Sequence, residues 1–136
     1  MINPLEIKIK NWIILNHAPY GKAVKTPVQV ECIGLGIPEE QVLDQLWYRG
    51  QGVFGSHHDF EDFDPIELSE DILVKAGFEK DYVSKKWRKS GLHGYIEVNH
   101  RETFYKCYWI RRTLRSVHQL QNLYFALTGH ELTITF

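Results

Sequence analysis

The C-terminal stretch from Ser116 to Phe136 constrains the fold more than any other part of the chain, because helix signals are followed directly by strand signals. Ser116 is a favoured N-cap residue, and Gln119 lies three residues on, at capping-box spacing. Apolar residues then recur at helical spacing, at Val117, Leu120, Leu123, Tyr124 and Leu127. Gly129 can adopt the left-handed conformation that ends many helices. Beyond it, apolar residues alternate with polar ones and predict a half-buried final strand, at Leu132, Ile134 and Phe136.

The whole chain predicts an α+β fold in a single domain of 136 residues. Residues 1–64 are expected to be mostly β, with a curved antiparallel sheet of which an SH3-like arrangement is one form. Residues 65–136 are expected to add a β-hairpin, the final strand and two packed helices. An aromatic content of 13% favours a β-rich core.

The N-terminal part of the sequence predicts two strands, followed by a short helix and an irregular loop. Alternation followed by a continuous apolar run predicts a strand over Leu5–Leu15. A second strand is predicted over Val24–Leu35, and Pro27 indicates a sheet edge or a strand start. Pro38–Trp47 is predicted as a short helix, although Trp47 could instead begin a strand. Gly50–Asp64 is predicted as an irregular loop.

The middle of the chain contains a second helix signal and a hairpin signal. The helix spans Leu68–Phe78, where Ser69 is the expected N-cap and Gly77 the expected end. Tyr82–Trp87 is a candidate strand. Strands over Gly94–Val98 and Phe104–Ile110 are expected to form the hairpin.

Metal-ligating residue types occur together in the loop, at His57, His58 and Asp59. Imidazole and carboxylate groups are common ligands of zinc and of catalytic divalent ions. Their spacing matches no ligand template, and a polar loop explains the same residues. The sequence therefore predicts no metal site and keeps these three as candidates.

One basic segment contains aromatic residues that could stack on bases while its cations contact phosphates. The residues proposed to contact nucleic acid are Lys85, Lys86, Trp87, Arg88, Lys89, Arg111 and Arg112. A solvated strand edge that lysines protect from aggregation explains the same pattern. A continuous positive face joining Lys86, Arg88 and Arg112 would favour nucleic-acid binding.

The polar side of the C-terminal helix lacks charged residues, which is unusual for a solvated helix face. Internal hydrogen bonding of its amides explains this. The alternative is a partner or dimer surface formed by His118, Gln121, Asn122 and Phe125.

Several function classes have no support in the sequence. The net charge of −1 gives no global attraction to nucleic acid or anionic membranes. Cys32 and Cys107 match no metal pattern and are expected to be reduced core thiols. Because no signal peptide, transmembrane run or catalytic motif is recognised, we expect a cytoplasmic protein that is not an enzyme, with no cofactor and no membrane association.

The run VHQLQNLYFALTGHELTI closely resembles the C-terminus of a family of short uncharacterised proteins from Bacteroides-type bacteria and their prophages. A moderate resemblance extends over the middle helix, from Pro65 to Phe78. The resemblance implies a bacterial or phage origin and a cytoplasmic location, and it assigns no functional residue.

These observations favour a non-enzymatic binding or accessory module of a prophage or mobile element. Its partner would be another protein or a second copy of itself. The alternative is single-stranded nucleic-acid binding through Lys85–Lys89. A metal-dependent enzyme using the loop His57–Asp64 is the least favoured.

Overall fold

The structure is a computed structural model that describes residues 7–8, 10–17, 24–34, 45–50, 57–59 and 62–136. Contacts divide the chain into two compact units, Met1–Ile66 and Glu67–Phe136. The predicted α+β class is confirmed, since each unit contains an antiparallel sheet and the described helices belong to the second unit. Whether the chain forms one folding domain stays a prediction.

Among its described residues, the first unit contains a five-stranded antiparallel sheet in the order β4-β3-β2-β1-β5. Its strands are β1 (Trp12–His17), β2 (Val24–Gly34), β3 (Gln45–Gly50), β4 (His57–Asp59) and β5 (Phe63–Asp64). The described strands do not close into a barrel, and an SH3-like arrangement stays a prediction. The buried apolar cluster of this unit consists of Ile7, Ile13, Leu15, Val28, Val30 and Phe63.

Pro27 lies in an inner strand, which corrects the expectation of an edge or a strand start. Pro27 pairs with Ile14 of β1, whereas the pairing of β2 with β3 begins one residue later, at Val28. Proline lacks the N–H that a second neighbour would need. Pro27 is tolerated because β2 has only one described neighbour at that position.

Three other predictions in the first unit are corrected. Of the strand predicted over Leu5–Leu15, residues 5, 6 and 9 lie outside the described part, and the described strand begins at Trp12, because Lys10 has a φ of 71° and lies in a turn. Trp47 lies in β3 and not in a helix, whereas residues 38–44 lie outside the described part. The predicted loop Gly50–Asp64 contains β4 and β5.

The second unit contains a five-stranded antiparallel meander, in which each strand pairs with the next one in sequence. The strands are β6 (Glu79–Asp81), β7 (Lys86–Arg88), β8 (Tyr95–Val98), β9 (Thr103–Cys107) and β10 (Ile110–Thr113). The two helices of this unit are α1 (Glu70–Lys75) and α2 (Val117–Thr128). None of the described helices is long and apolar enough to cross a membrane.

Local signals place both ends of α1 as predicted. The Ser69 hydroxyl accepts a hydrogen bond from the Ile72 amide at 3.4 Å. At the other end, Gly77 has a φ of 79°, and the Phe78 amide donates to the Leu73 carbonyl at 2.9 Å. The capping residues therefore define this short helix.

The hairpin between β8 and β9 is confirmed, but its neighbours differ from prediction. Phe104–Ile110 is interrupted by a turn at Tyr108–Trp109, after which β10 forms a second hairpin. Tyr82–Lys85 is a turn, so the predicted strand there is limited to β7.

Helix α2 ends as predicted but begins differently. Gly129 has a φ of 74° and its amide donates to the Phe125 carbonyl. The Ser116 side chain makes no capping hydrogen bond, and Gln119 instead accepts from the Arg115 amide at 2.8 Å. The prediction of a capping box is therefore wrong, because the Ser116 Oγ lies 3.3 Å from the His118 Nε2 and does not bond to the backbone of the helix. Leu127 is exposed, so the apolar arc is shorter than predicted.

The segment after α2 shows the predicted alternation without the predicted pairing. Leu132 and Ile134 are buried, whereas Thr133 and Thr135 are exposed. Within the described part of the chain, this segment belongs to no strand. The final strand is therefore corrected to an extended segment that is held by burial of its apolar side chains.

Candidate nucleic-acid interface

The second sheet has one face with the buried rings of Trp87 and Tyr105 and an opposite face on which several cations are aligned. In antiparallel strands, directly opposed residues point to the same side of the sheet. The pairs Lys80–Trp87, Trp87–Ile96 and Ile96–Tyr105 place the buried rings of Trp87 and Tyr105 on one side. The alternate residues therefore point to the other side.

Four residues on this other side form a row across neighbouring strands, which we call the basic row: Arg88, Tyr95, Lys106 and Arg111. Tyr95 opposes Lys106, which opposes Arg111, and Arg88 follows Trp87 in β7 beside Tyr95. Three steps between strands separate Arg88 from Arg111, which corresponds to about 14 Å. The three cations are exposed and Tyr95 is half-buried.

Aromatic rings hold several of these cations in place. The Lys86 Nζ lies 4.3 Å from the Tyr95 ring centroid, and the Arg88 Cζ lies 5.6 Å from it. The Arg111 Cζ lies 4.1 Å from the centroid of Phe104. Cation–π contacts orient the charged groups without neutralising them.

The nearby acids compensate only part of this charge. Glu102 forms an ion pair with Arg111. Asp81 accepts hydrogen bonds from the Ser84 hydroxyl and the Val83 amide, and the bond from Ser84 contributes most to lowering the Asp81 pKa. Within the described residues, Arg88 and Lys106 form no ion pair. Glu79 lies directly opposite Arg88 in the register but forms no ion pair with it, so both cations can still contact an external anion.

Two clefts lie beside the basic row and share Arg88 and Gly94. The smaller, of about 230 Å³, is lined by Arg88, His93, Gly94, Tyr95, Lys106, Cys107 and Tyr108. The larger, of about 450 Å³, is lined by Gly77, Glu79, Arg88, Lys89, Ser90, Gly91, Leu92 and Gly94. The tight approach of Gly94 to β9 forms their common wall, since a Cβ there would lie 2.8 Å from the Cys107 Cβ.

The residues predicted to contact nucleic acid do not lie together. Trp87 is only 4% exposed, so the prediction that it stacks on a base is wrong. Arg112 pairs with Tyr105 and lies on the Trp87 face, so the expected continuous face joining Lys86, Arg88 and Arg112 is not present. Arg111 instead shares the face of Arg88.

The predicted lysines are also separated. Lys85 lies in the turn at the far end of the sheet from Tyr108. The Lys89 Nζ lies 6.0 Å from the Phe78 ring centroid. Lys86 remains on the cationic face, beside Tyr95.

Sequence reasoning missed four residues of this region, namely Tyr95, Lys106, Tyr108 and Trp109. Tyr95 and Lys106 lie in the two strands of the predicted hairpin, but the predicted strand ends would pair Val98 with Phe104 and hence Tyr95 with Cys107. The structure pairs Val98 with Thr103, and this shift of one residue places Lys106 opposite Tyr95. Tyr108 and Trp109 were assigned to the predicted strand Phe104–Ile110. They instead form the β9–β10 turn, where they are 83% and 89% exposed.

The α2 residues proposed as a partner surface are mostly interior. His118 and Gln121 are buried, so their assignment to a surface is wrong. Asn122 is half-buried, and Phe125 is 43% exposed. The burial of His118 and Gln121 agrees with the interpretation that this side of the helix lacks charges because it is not solvated.

The metal candidates lie on β4, where His57, His58 and Asp59 pair with β3. Their side chains lie outside the described part of the structure. Among the described residues, no group of His, Cys, Asp and Glu could hold a metal ion. The prediction of no metal site at these three residues therefore stays untested, and they remain candidates only.

Alkaline pH should destabilise the second unit through Tyr105. This side chain is buried beneath the row, and its hydroxyl donates to the His93 carbonyl at 2.5 Å. Burial first, and then the hydrogen bond with Cys107, raises the pKa of Tyr105 from 10.0 to about 12. The folded state thus favours the neutral phenol, and its contribution to stability should be lost as the pH rises from about 10 to about 12.

Urea unfolding of the parent and of Tyr105→Phe as a function of pH would measure this effect. The difference between their unfolding free energies should shrink over that pH window. Tyr108→Phe is the control, because Tyr108 is exposed. A constant difference between the parent and Tyr105→Phe would contradict the prediction.

Comparison of the chain with protein families, curated proteins and solved structures found no match.

Proposed function

We propose that the second unit binds single-stranded nucleic acid on the cationic face of its sheet. The observation that carries this proposal is the basic row, in which cations from three strands surround Tyr95 of the central strand. Phosphates supply most of the affinity in such complexes, and exposed cations aligned on one surface supply the matching charge.

The charge distribution supports the same proposal. Residues 67–136 contain eleven Lys and Arg against eight Asp and Glu, a net charge of +3. Residues 1–66 contain five Lys and Arg against nine Asp and Glu, a net charge of −4. The overall charge of −1 is thus the sum of an acidic first unit and a basic second unit. The low net charge of the whole chain therefore does not exclude nucleic-acid binding by the second unit.

The proposed partner is a single strand because the site is an open sheet face. Proteins that bind single strands combine a cationic surface for the backbone with aromatic side chains for the bases. The basic row and the exposed aromatic turn beside it offer both. No recognition helix is needed for this mode of binding.

Binding should depend on Arg88 and Lys106 in particular. Replacing both with glutamine is expected to weaken binding of a labelled single-stranded oligonucleotide about tenfold or more, because two phosphate contacts are lost. The slope of log affinity against log salt should fall by about 1.4 for the same reason. Fluorescence anisotropy at several salt concentrations measures both effects.

Lys85→Gln is the matched control for the single variants Arg88→Gln and Lys106→Gln, because each of the three removes one positive charge and Lys85 lies in a turn at the other end of the sheet. Its affinity should stay close to that of the parent. The proposal is refuted if the parent shows no binding at tens of micromolar protein in low salt. An equal loss in Lys85→Gln would also refute it, since the charge effect would then not be local.

A second function, protein interaction at the end of α2, rests on one observation. Phe125 and Leu127 are 43% and 49% exposed on the last turns of this helix. If the parent binds no oligonucleotide, this apolar surface becomes the better candidate. The prophage or mobile-element origin implied by the resemblance stays a prediction under either function.

A further inference from the structure

We propose that the β9–β10 turn is a base-stacking platform, on which Tyr108 and Trp109 bind unpaired bases of a strand held by the basic row. This inference rests on the proposed nucleic-acid function and adds selectivity for bases to it. Without the platform, the cationic face would bind any polyanion of suitable charge.

The exposure of the turn is the first argument. Tyr108 and Trp109 are 83% and 89% exposed, and the next residue, Ile110, is 50% exposed. The two rings lie 6.0 Å apart between centroids, with an interplanar angle of 40°. Because these two apolar rings stay exposed to water, they contribute little hydrophobic stabilisation to the fold.

The backbone of the turn is the second argument. Cys107 pairs with Ile110, so the turn has two central residues. Tyr108 occupies the first of them with a φ of 52°, a conformation in which glycine is strongly preferred. The chain thus places a bulky side chain at a strained position where it packs against no core. Strain of this kind points to a role in binding.

The position of the turn is the third argument. Tyr108 shares the cleft of about 230 Å³ with Arg88, Tyr95 and Lys106 of the basic row. Tyr95 already has the Lys86 amine and the Arg88 guanidinium against its ring. Tyr108 and Trp109 are therefore the rings most open to a base near these cations.

The first experiment compares parent and Tyr108→Gly for two probes of similar charge. One is a labelled single strand of about 12 nucleotides, and the other is inorganic polyphosphate, which has no bases. Tyr108→Gly should weaken oligonucleotide binding about tenfold while leaving polyphosphate binding unchanged. Its melting temperature should equal or exceed that of the parent, because glycine adopts a positive φ without strain.

Trp109→Ser is the second variant, since Trp109 makes no core contact and its φ is not positive. It should lose oligonucleotide affinity in the same selective way. The inference is overturned if both variants bind the oligonucleotide as tightly as the parent. A lower melting temperature of Tyr108→Gly would also overturn it, because the turn residue would then serve stability.

The probes separate this inference from the function on which it rests. A parent that binds neither probe refutes the proposed function. A parent that binds both probes equally well, with both variants unchanged, refutes the stacking platform alone. Vesicles of phosphatidylserine serve as a third probe. If Tyr108→Gly and Trp109→Ser lose binding to these vesicles but bind the oligonucleotide as the parent does, the turn contacts a lipid surface and the inference is overturned.

Discussion

Replacing Trp87 with alanine should lower the free energy of unfolding by about 3–5 kcal/mol. The indole is only 4% exposed and lies on the inner face of the sheet, opposite Ile96 in the register. Truncation would remove the largest side chain of this face and leave a cavity that the sheet cannot close. Urea unfolding followed by circular dichroism measures the loss.

Trp109→Ala is the matched control, because it removes the same side chain from a site that is 89% exposed. Its unfolding free energy should stay within about 0.5 kcal/mol of the parent's. Trp87→Phe should fall between the two, since it also removes an indole N–H that is buried without a hydrogen-bond partner in the described part. Equal stability of Trp87→Ala and Trp109→Ala would contradict the burial of Trp87.

Replacing Gly94 with alanine should destabilise the second unit by about 3 kcal/mol or more. Gly94 has a φ of 85°, which strains any residue with a Cβ. The added Cβ would also collide with the Lys106 carbonyl oxygen and lie 3.1 Å from the Tyr105 ring. Both obstacles belong to the neighbouring strand, so the β8–β9 pairing would have to shift. Thermal unfolding of the variant measures the effect.

Gly91→Ala separates the two causes of this loss. Gly91 has nearly the same φ, 84°, but a Cβ there would meet nothing within 4 Å. Its alanine variant should therefore lose only the strain contribution, about 1 kcal/mol. If the two variants are equally stable, the close approach of Gly94 to β9 is absent in solution.

The parts of the fold that sequence predicted well depend on interactions over a few residues. Ser69, Gly77 and Gly129 define helix ends through hydrogen bonds within one or two turns. The hairpin between β8 and β9 follows from two apolar runs around a short polar turn. Such signals are complete within a short window of sequence, so no knowledge of the tertiary structure is needed.

The candidate site was predicted less well because strand register decides which residues share a face. Lys86, Trp87 and Arg88 are consecutive, and the sequence does not state which of them points inward. The structure buries Trp87 and exposes Arg88, which places Arg88 with Lys106 from a distant part of the chain. The Tyr108–Trp109 turn was missed because it contains none of the usual turn residues.

The order of the strands in the second sheet has a consequence for folding kinetics. Each strand from β6 to β10 pairs with its immediate successor, so the loops that must close are short. In the first sheet, by contrast, β5 pairs with Ile14 and Leu15 of β1, and three other described strands lie between β1 and β5 in the sequence. Because local contacts cost less loop entropy, we expect the meander to form before the first sheet when the full-length chain refolds from denaturant. During synthesis it would grow by one hairpin at a time, and the row of cations would be completed when β10 joins.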